Sequence, residues 1–179
     1  MIRIGAGSLA GRIIEQPKTF KTRPLTSKAR ASIFNRLGDI SDLTVLDAYA
    51  GSGAFGIEAL SLGVRRVSFI EHSKAVAKVI ADNLEKLELV SNTTLYVERV
   101  KTALNSLQGQ SFDVILADPP YAELNESELN QLTSLLSPKG ILIISHSSRI
   151  VYPMISFGIY LDTRVYGDTA ISYYRGKIG

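Results

Sequence analysis

The stretch "VLDAYAGSGAFGIEAL", Val45 to Leu60, decides the fold. Val45 and Leu46 end a short β-rich run that begins at Leu43. Gly51, Gly53 and Gly56 then form a GxGxxG turn, and Phe55, Ile57 and Leu60 supply the apolar positions of a helix. Strand, glycine turn and helix in that order make a βα unit whose helix N-terminus is open to a ligand. By the glycines alone the ligand could be a dinucleotide, with a pyrophosphate on the helix and Glu71 on a ribose. Asp47, four residues before Gly51, argues against it, because a carboxylate beside a pyrophosphate is unfavourable. A ligand with an ammonium group suits Asp47 better. Ser52 is not a hydrolase nucleophile, since Ala50 stands where a GxSxG elbow needs glycine.

Outward from this unit, β-rich runs alternate with helical periods, the pattern of a parallel sheet covered on both faces. "RRVSFIE", "TTLYVE", "FDVILAD" and "GILIIS" follow as the second to fifth strands. Residues 74–87 carry Val76, Val79, Ile80, Leu84 and Leu87 on one stripe. A later helix opens at Asn125 with Glu128 three positions on, buries Leu129, Leu132, Leu135 and Leu136, and ends at "SPKG". The tail "FGIYLDTRVYGDTAISYYRGK" alternates with period two on both sides of Gly167-Asp168 and reads as an antiparallel hairpin. The expected fold is α/β: five parallel strands and a C-terminal antiparallel hairpin in a seven-stranded Rossmann-like sheet, the arrangement of class I S-adenosylmethionine-dependent methyltransferases. Residues 41–179 are expected to form that domain and 1–40 a separate basic extension. In the extension, "IRIGAGSLAGRII" reads as a small hairpin and "TSKARASIFNRLG" as a helix capped by Thr26 or Ser27 and stopped by Gly38.

The 179 residues include no cysteine and only His72 and His146, which excludes disulfides, thiolate nucleophiles and Cys/His zinc sites. No apolar run reaches membrane-span length, and the N-terminus lacks a signal-peptide core, so a cytoplasmic protein without membrane or metal is expected. Charge is uneven. Eight bases stand against Glu15 alone in the first 36 residues, a net +7, which against +3 for the whole chain leaves −4 for the other 143. Such a basic arm on an acidic body suits a polyanion, although a solubilising segment is an equal alternative for the arm taken alone.

The fourth strand runs into "DPPY", Asp118 to Tyr121. An exocyclic amine of a nucleobase is a poor nucleophile because its lone pair is delocalised into the ring. The Asp118 carboxylate and the Pro119 carbonyl can accept its two N–H protons and turn the lone pair toward a methyl donor. Pro119 and Pro120 stiffen the loop, and Tyr121 can stack on a base swung out of its helix. C5 methylation of pyrimidines needs a thiolate that this chain lacks, so an amine target is favoured.

These segments resemble the RsmD-type family, bacterial methyltransferases acting on the N2 amine of a guanine in 16S ribosomal RNA. "RPLTSKARASIFNRL" is similar to a segment near that family's N-terminus, with Arg23, Pro24, Thr26, Arg30, Phe34, Asn35 and Leu37 in step. "VLDAYAGSGAFGIEALSLG" resembles its cofactor motif, "DPPY" its catalytic loop, and "YGDTAISYYR" its closing hairpin. The resemblance implies that Asp47, Gly51, Gly53 and Glu71 contact S-adenosylmethionine, with Ala50, Ser52 and His72 lining the same pocket. It implies catalysis by Asp118, Pro119, Pro120 and Tyr121, and RNA binding by the N-terminal bases, here Arg3, Arg12, Arg23, Lys28 and Arg30. Val100 replaces the Asp or Asn that often opens a "DA" pair in the family, leaving backbone atoms, Glu98 or Arg99 to read adenine. The expected partner is 16S rRNA or a small-subunit particle, met by a monomer. A DNA adenine-N6 or cytosine-N4 methyltransferase, a non-catalytic RNA-binding module and a nicotinamide-binding subunit are the alternatives. For the first, 179 residues leave no room for a target-recognition domain.

Overall fold

A computed structural model describes residues 1–18, 25–120 and 124–176. Its main sheet has seven strands among the described residues: β3 (Thr44–Asp47), β4 (Arg66–Ile70), β5 (Thr93–Tyr96), β6 (Phe112–Ala117), β7 (Leu136–Ser147), β8 (Gly158–Tyr166) and β9 (Thr169–Gly176). The spatial order is β5-β4-β3-β6-β7-β9-β8. β3 to β7 pair in parallel, and β9 inserts antiparallel between β7 and β8. The expected class I architecture holds, and β9 is the one reversed strand of the seven. From β3 the chain winds first to one side and then, through β6, to the other. The crevice above the carboxyl ends of β3 and β6 is therefore the topological switch point, where open α/β sheets bind ligands. Asp47 pairs with Leu116 across this boundary, so Asp118 lies just beyond the same edge.

Side chains alternate between two cores with the period of a pleated strand. Val45, Phe69, Val114, Ile143 and Tyr173 face one side, with α2 (Ala54–Ser61) and α3 (Lys74–Lys86) packed on them. Leu46, Ile70, Ile115, Ile144 and Tyr174 face the other, covered by α4 (Val100–Ser106) and α5 (Glu126–Thr133). Burial on both faces explains why these strands read as near-continuous apolar runs.

The caps read from sequence are present. Thr26 accepts the Ala29 N–H at the start of α1 (Ser27–Leu37), Gly38 stops that helix at φ 74°, and Asn125 accepts the Ser127 and Glu128 N–H groups at the start of α5. Two local readings change. Leu136 begins β7 instead of extending the helix stripe, with a register shift opposite Phe112 and Val114. The "SPKG" expected to end that helix lies inside β7, and the helix stops earlier, at Thr133.

Residues 1–18 and 25–40 lie against the body. β1 (Ile2–Arg3) and β2 (Ile13–Ile14) pair antiparallel, and Ile4, Ile14, Ala29, Ile33 and Phe34 join the core of β3, β4 and α2. Phe34 stacks on Phe55 of α2 with ring centroids 4.8 Å apart. Asn83, buried on α3, holds Glu15 by a reciprocal pair of bonds, 2.9 Å from its N–H and 3.0 Å to its carbonyl. At the C-terminal end of α2, Ser8 N–H donates to the Ser61 carbonyl at 2.8 Å, and Leu9 N–H to the Ser61 hydroxyl at 2.9 Å. The first of those bonds satisfies a carbonyl that a helix end leaves open.

Candidate active site

The glycine turn is built by backbone bonds to its neighbours. Ala48 N–H donates to the Leu116 carbonyl, Ala50 N–H to Ile70, and Gly53 N–H to Ala50 at 2.7 Å. Gly53 caps α2 in the left-handed region at φ 73°, which L side chains rarely adopt. Gly56 is required for another reason. A Cβ there would fall 2.2 Å from the Phe69 ring, so the helix crosses β4 too closely for any side chain. Gly53 gives α2 no side-chain cap of its own, and in the first turn the Ala54 and Gly56 N–H groups are taken by the Ser52 hydroxyl and the Asp47 carboxylate.

Three acids border this turn. Asp47 is 2% exposed at the end of β3, and its carboxylate accepts the Gly56 N–H at 3.2 Å. Burial pushes its pKa up to about 7; the Gly56 bond opposes that rise, and the charges of Asp118 and Glu71 add to it. Glu71, just past β4, is buried and oriented by two amides, Gly51 N–H at 3.1 Å on one oxygen and Ser73 N–H at 2.8 Å on the other. A carboxylate offers about four acceptor sites, so Glu71 keeps capacity for two hydroxyls. Asp118 follows β6 and is half-buried, and desolvation raises its pKa to about 6. The Ser145 hydroxyl of β7 and the Leu25 N–H face that carboxylate and lower its pKa. Ser145 Oγ makes no bond of full hydrogen-bond geometry, so its effect is that of a nearby dipole.

The remaining expected residues divide by position. Ala50 and Ser52 are buried in the turn, and Ser52 Oγ accepts the Ala54 N–H at 3.4 Å. His72 is exposed with Nδ1 3.4 Å from Glu71. Val100 is buried among Leu46 and Ile70, so only its backbone could meet a ligand, while Glu98 accepts the Ser106 hydroxyl at 3.3 Å. Pro119 is buried and Pro120 half-buried; Tyr121 lies outside the described residues. Ser145 and Leu25 were missed by sequence reasoning. Both come to Asp118 through strand order and chain path, which composition does not carry.

Among the expected RNA-binding residues, Arg3, Arg12 and Lys28 are exposed, and Arg23 lies outside the described residues. Arg30 is a correction. It is 3% exposed, with Nε 2.9 Å from Glu58 of α2, Nη1 3.2 Å from the Leu25 carbonyl and Nη2 3.3 Å from the Arg3 carbonyl. A guanidinium that donates inward on all three nitrogens is not displayed to phosphate. The signal was in the sequence: Arg30 shares the helical stripe of Ile33, Phe34 and Leu37.

Three acids around the start of α2 and a glycine turn make an acceptor set for a ligand that is cationic at one end and carries hydroxyls. S-adenosylmethionine fits it, with sulfonium, ammonium and ribose. Among the described residues no group of three His, Cys, Asp or Glu side chains could hold a metal ion, and no helix is long and apolar enough to cross a membrane.

Comparison with known proteins agrees with this geometry. The chain is 32% identical to YlbH of Bacillus subtilis, named a candidate rRNA methyltransferase, over 98% of this chain and all of that one. It is 34% identical to ribosomal RNA small subunit methyltransferase D of Haemophilus influenzae, over 80% of this chain and 77% of that one. A solved structure from Escherichia coli, titled as the candidate methyltransferase yhhF, superposes with TM-score 0.86 at 26% identity over 99% of each chain. The model of the family described as "Conserved hypothetical protein 95" matches residues 2–175. The chain belongs to that family, the RsmD-like methyltransferases with the class I fold.

Proposed function

We propose that this chain transfers the methyl group of S-adenosylmethionine to the N2 amine of a guanine in 16S rRNA. The observation that carries the reading is the place of Asp118. It is half-buried at the switch point, next to Asp47 and one strand from the glycine turn, and not sealed beneath other side chains. The names of the relatives, rRNA and small-subunit rRNA methyltransferases, support the substrate class.

When bound, S-adenosylmethionine supplies an electrophilic methyl on sulfur. The chain's own residues do the rest by positioning. Glu71, already held by Gly51 and Ser73, takes the ribose hydroxyls. The positive end of the α2 dipole favours the ligand's carboxylate, and Asp47 answers its ammonium, directly or through water. Asp118 in its ionised form accepts one N–H of the target amine and the Pro119 carbonyl the other, which aims the nitrogen lone pair at the methyl group. The proton displaced from nitrogen leaves to solvent. The basic N-terminal segment, through Arg3, Arg12, Arg23 and Lys28, holds RNA phosphates. The reading includes a monomer acting in the cytoplasm without a metal.

Transfer of tritium from labelled cofactor to 16S rRNA lacking its native methyl groups tests the reading. It expects label in N2-methylguanine at one nucleotide. Label in N6-methyladenine or N4-methylcytosine would replace it with the DNA-type amine chemistry. Tight RNA binding with no transfer would support the non-catalytic module.

A further inference from the structure

The first turn of α5 carries Glu126 and Glu128, at the end where the helix dipole favours acids. Asn125 with Glu128 three positions on has the spacing of a capping box, in which the glutamate returns to the Asn125 N–H. Among the described residues only half of that box is made. Asn125 Oδ1 accepts the Glu128 N–H at 3.2 Å, but the Glu128 carboxylate reaches across to accept the Tyr49 hydroxyl at 3.0 Å. Tyr49 belongs to the cofactor turn, between Asp47 and Gly51. Its neighbours are pinned on both sides, Ala48 N–H to the Leu116 carbonyl of β6 and Ala50 N–H to the Ile70 carbonyl of β4, so the ring stands on a fixed base. The other side of α5 is held too. Glu126 accepts the Met154 N–H at 3.0 Å, and Asn130 the Ser156 and Phe157 N–H groups at 2.7 and 3.3 Å. A glutamate serving α5 alone would close the capping box, whereas Glu128 serves the relation between α5 and the cofactor turn.

We propose that Tyr49 is a positioning residue for the catalytic loop, acting through Glu128. The loop leaves β6 at Ala117, which pairs with Ile144 of β7, and the chain is back against the core at Leu124, one residue before the cap of α5. Pro120 and Leu124 are four residues apart, and four residues reach at most about 14 Å, so the place of α5 limits the course of the loop. The sheet fixes the near end of the loop and α5 the far end. Tyr49 sets α5 against the same turn that carries Asp47 and Gly51, and so fixes the acceptor side of the methyl transfer relative to the donor side. The inference rests on the functional reading above, in which the loop of Asp118 holds the target amine.

Steady-state methyl transfer to 16S rRNA tests this with Tyr49→Phe, Glu128→Ala and Glu128→Gln, beside S-adenosylhomocysteine affinity and Tm. Phenylalanine keeps the ring and deletes the hydroxyl, alanine deletes the acceptor, and glutamine keeps an acceptor without the charge. Tyr49→Phe and Glu128→Ala should each lower kcat about three- to ten-fold, the size of one hydrogen bond used for positioning. KM for the cofactor and Kd for S-adenosylhomocysteine should stay at their native values. The double variant Tyr49→Phe/Glu128→Ala should lose no more than either single one, and Glu128→Gln should keep most of the native kcat. Native kcat in Tyr49→Phe, or a loss confined to KM or Tm, overturns the positioning role alone when Asp118→Ala is inactive. Equal impairment of Glu128→Gln and Glu128→Ala also overturns it, since charge and not the bond would then matter. Full activity of Asp118→Ala overturns it together with the functional reading.

Discussion

Buried charge has opposite meanings in two regions of this molecule. At the carboxyl edge of the sheet, Asp47, Glu71 and Asp118 gather with no lysine or arginine among their described partners, and burial raises the pKa of Asp47 to about 7 and of Asp118 to about 6. On the far side of α2, Arg30 and Glu58 are equally buried but neutralise each other at 2.9 Å, with their remaining groups bonded to backbone. The first region is electrostatically incomplete and is completed by a positive ligand. The second is complete within the chain, so its charge serves structure. Buried acids without a fixed counter-charge cost stability, and such a cost is expected where a site is shaped for something else.

Breaking the complete region should have the largest effect. Glu58→Leu leaves Arg30 buried and unpaired, a loss of about 3–5 kcal/mol, visible as a large fall in Tm. The double variant Arg30→Met/Glu58→Leu should lose less than the sum of the single ones. Additive losses would mean that the pair is not coupled.

The incomplete region responds to its ligand. Glu71→Ala should weaken binding of S-adenosylhomocysteine about 10- to 100-fold in calorimetry, the range for losing hydrogen bonds to a charged group. An unchanged Kd would remove Glu71 from the ribose role.

Asp47 sharpens the contrast through pH. Its folded pKa is raised above the unfolded value, so between about pH 4 and 7 the folded state binds more protons. The stability of the ligand-free protein should therefore fall as pH rises through that window, and Asp47→Asn should flatten the fall. A cationic ligand draws Asp47 to its charged form. Binding near pH 6.5 should then release part of a proton, read from calorimetry in buffers of different ionisation enthalpy. Proton uptake would contradict the ammonium role.

The smallest effect belongs to the exposed bases. Arg12→Ala with Lys28→Ala should lower the slope of log Kd for RNA against log salt by about 1 to 1.5, with Tm unchanged. An unchanged slope would assign those bases to solubility.

The two regions also differ in how legible they were. The carboxyl edge could be read from residue order, because strand period, glycine turn and caps are local signals and each acid ends a strand. The switch point was not read from the sequence, because residue order does not state that β3 and β6 are neighbours; their pairing in the sheet supplies it. The N-terminal region misled because charge was counted without direction. Arg30 raised the basic total of the first 36 residues, yet its spacing to Ile33 and Phe34 put it on the buried face. Leu25 and Ser145 carried no local signal at all. A backbone amide has the same sequence everywhere, and a serine at a strand end acquires meaning only when β7 is laid beside β6.

The claim on which the rest depends is that Asp118 is the acceptor for the target amine. It is tested most directly by measuring methyl transfer to 16S rRNA and S-adenosylhomocysteine affinity side by side for the native protein and Asp118→Ala. The expected result is a rate loss on the order of 100- to 1,000-fold, as for removal of one preorganised polar group, with cofactor affinity largely kept. Transfer at the native rate would contradict the assignment.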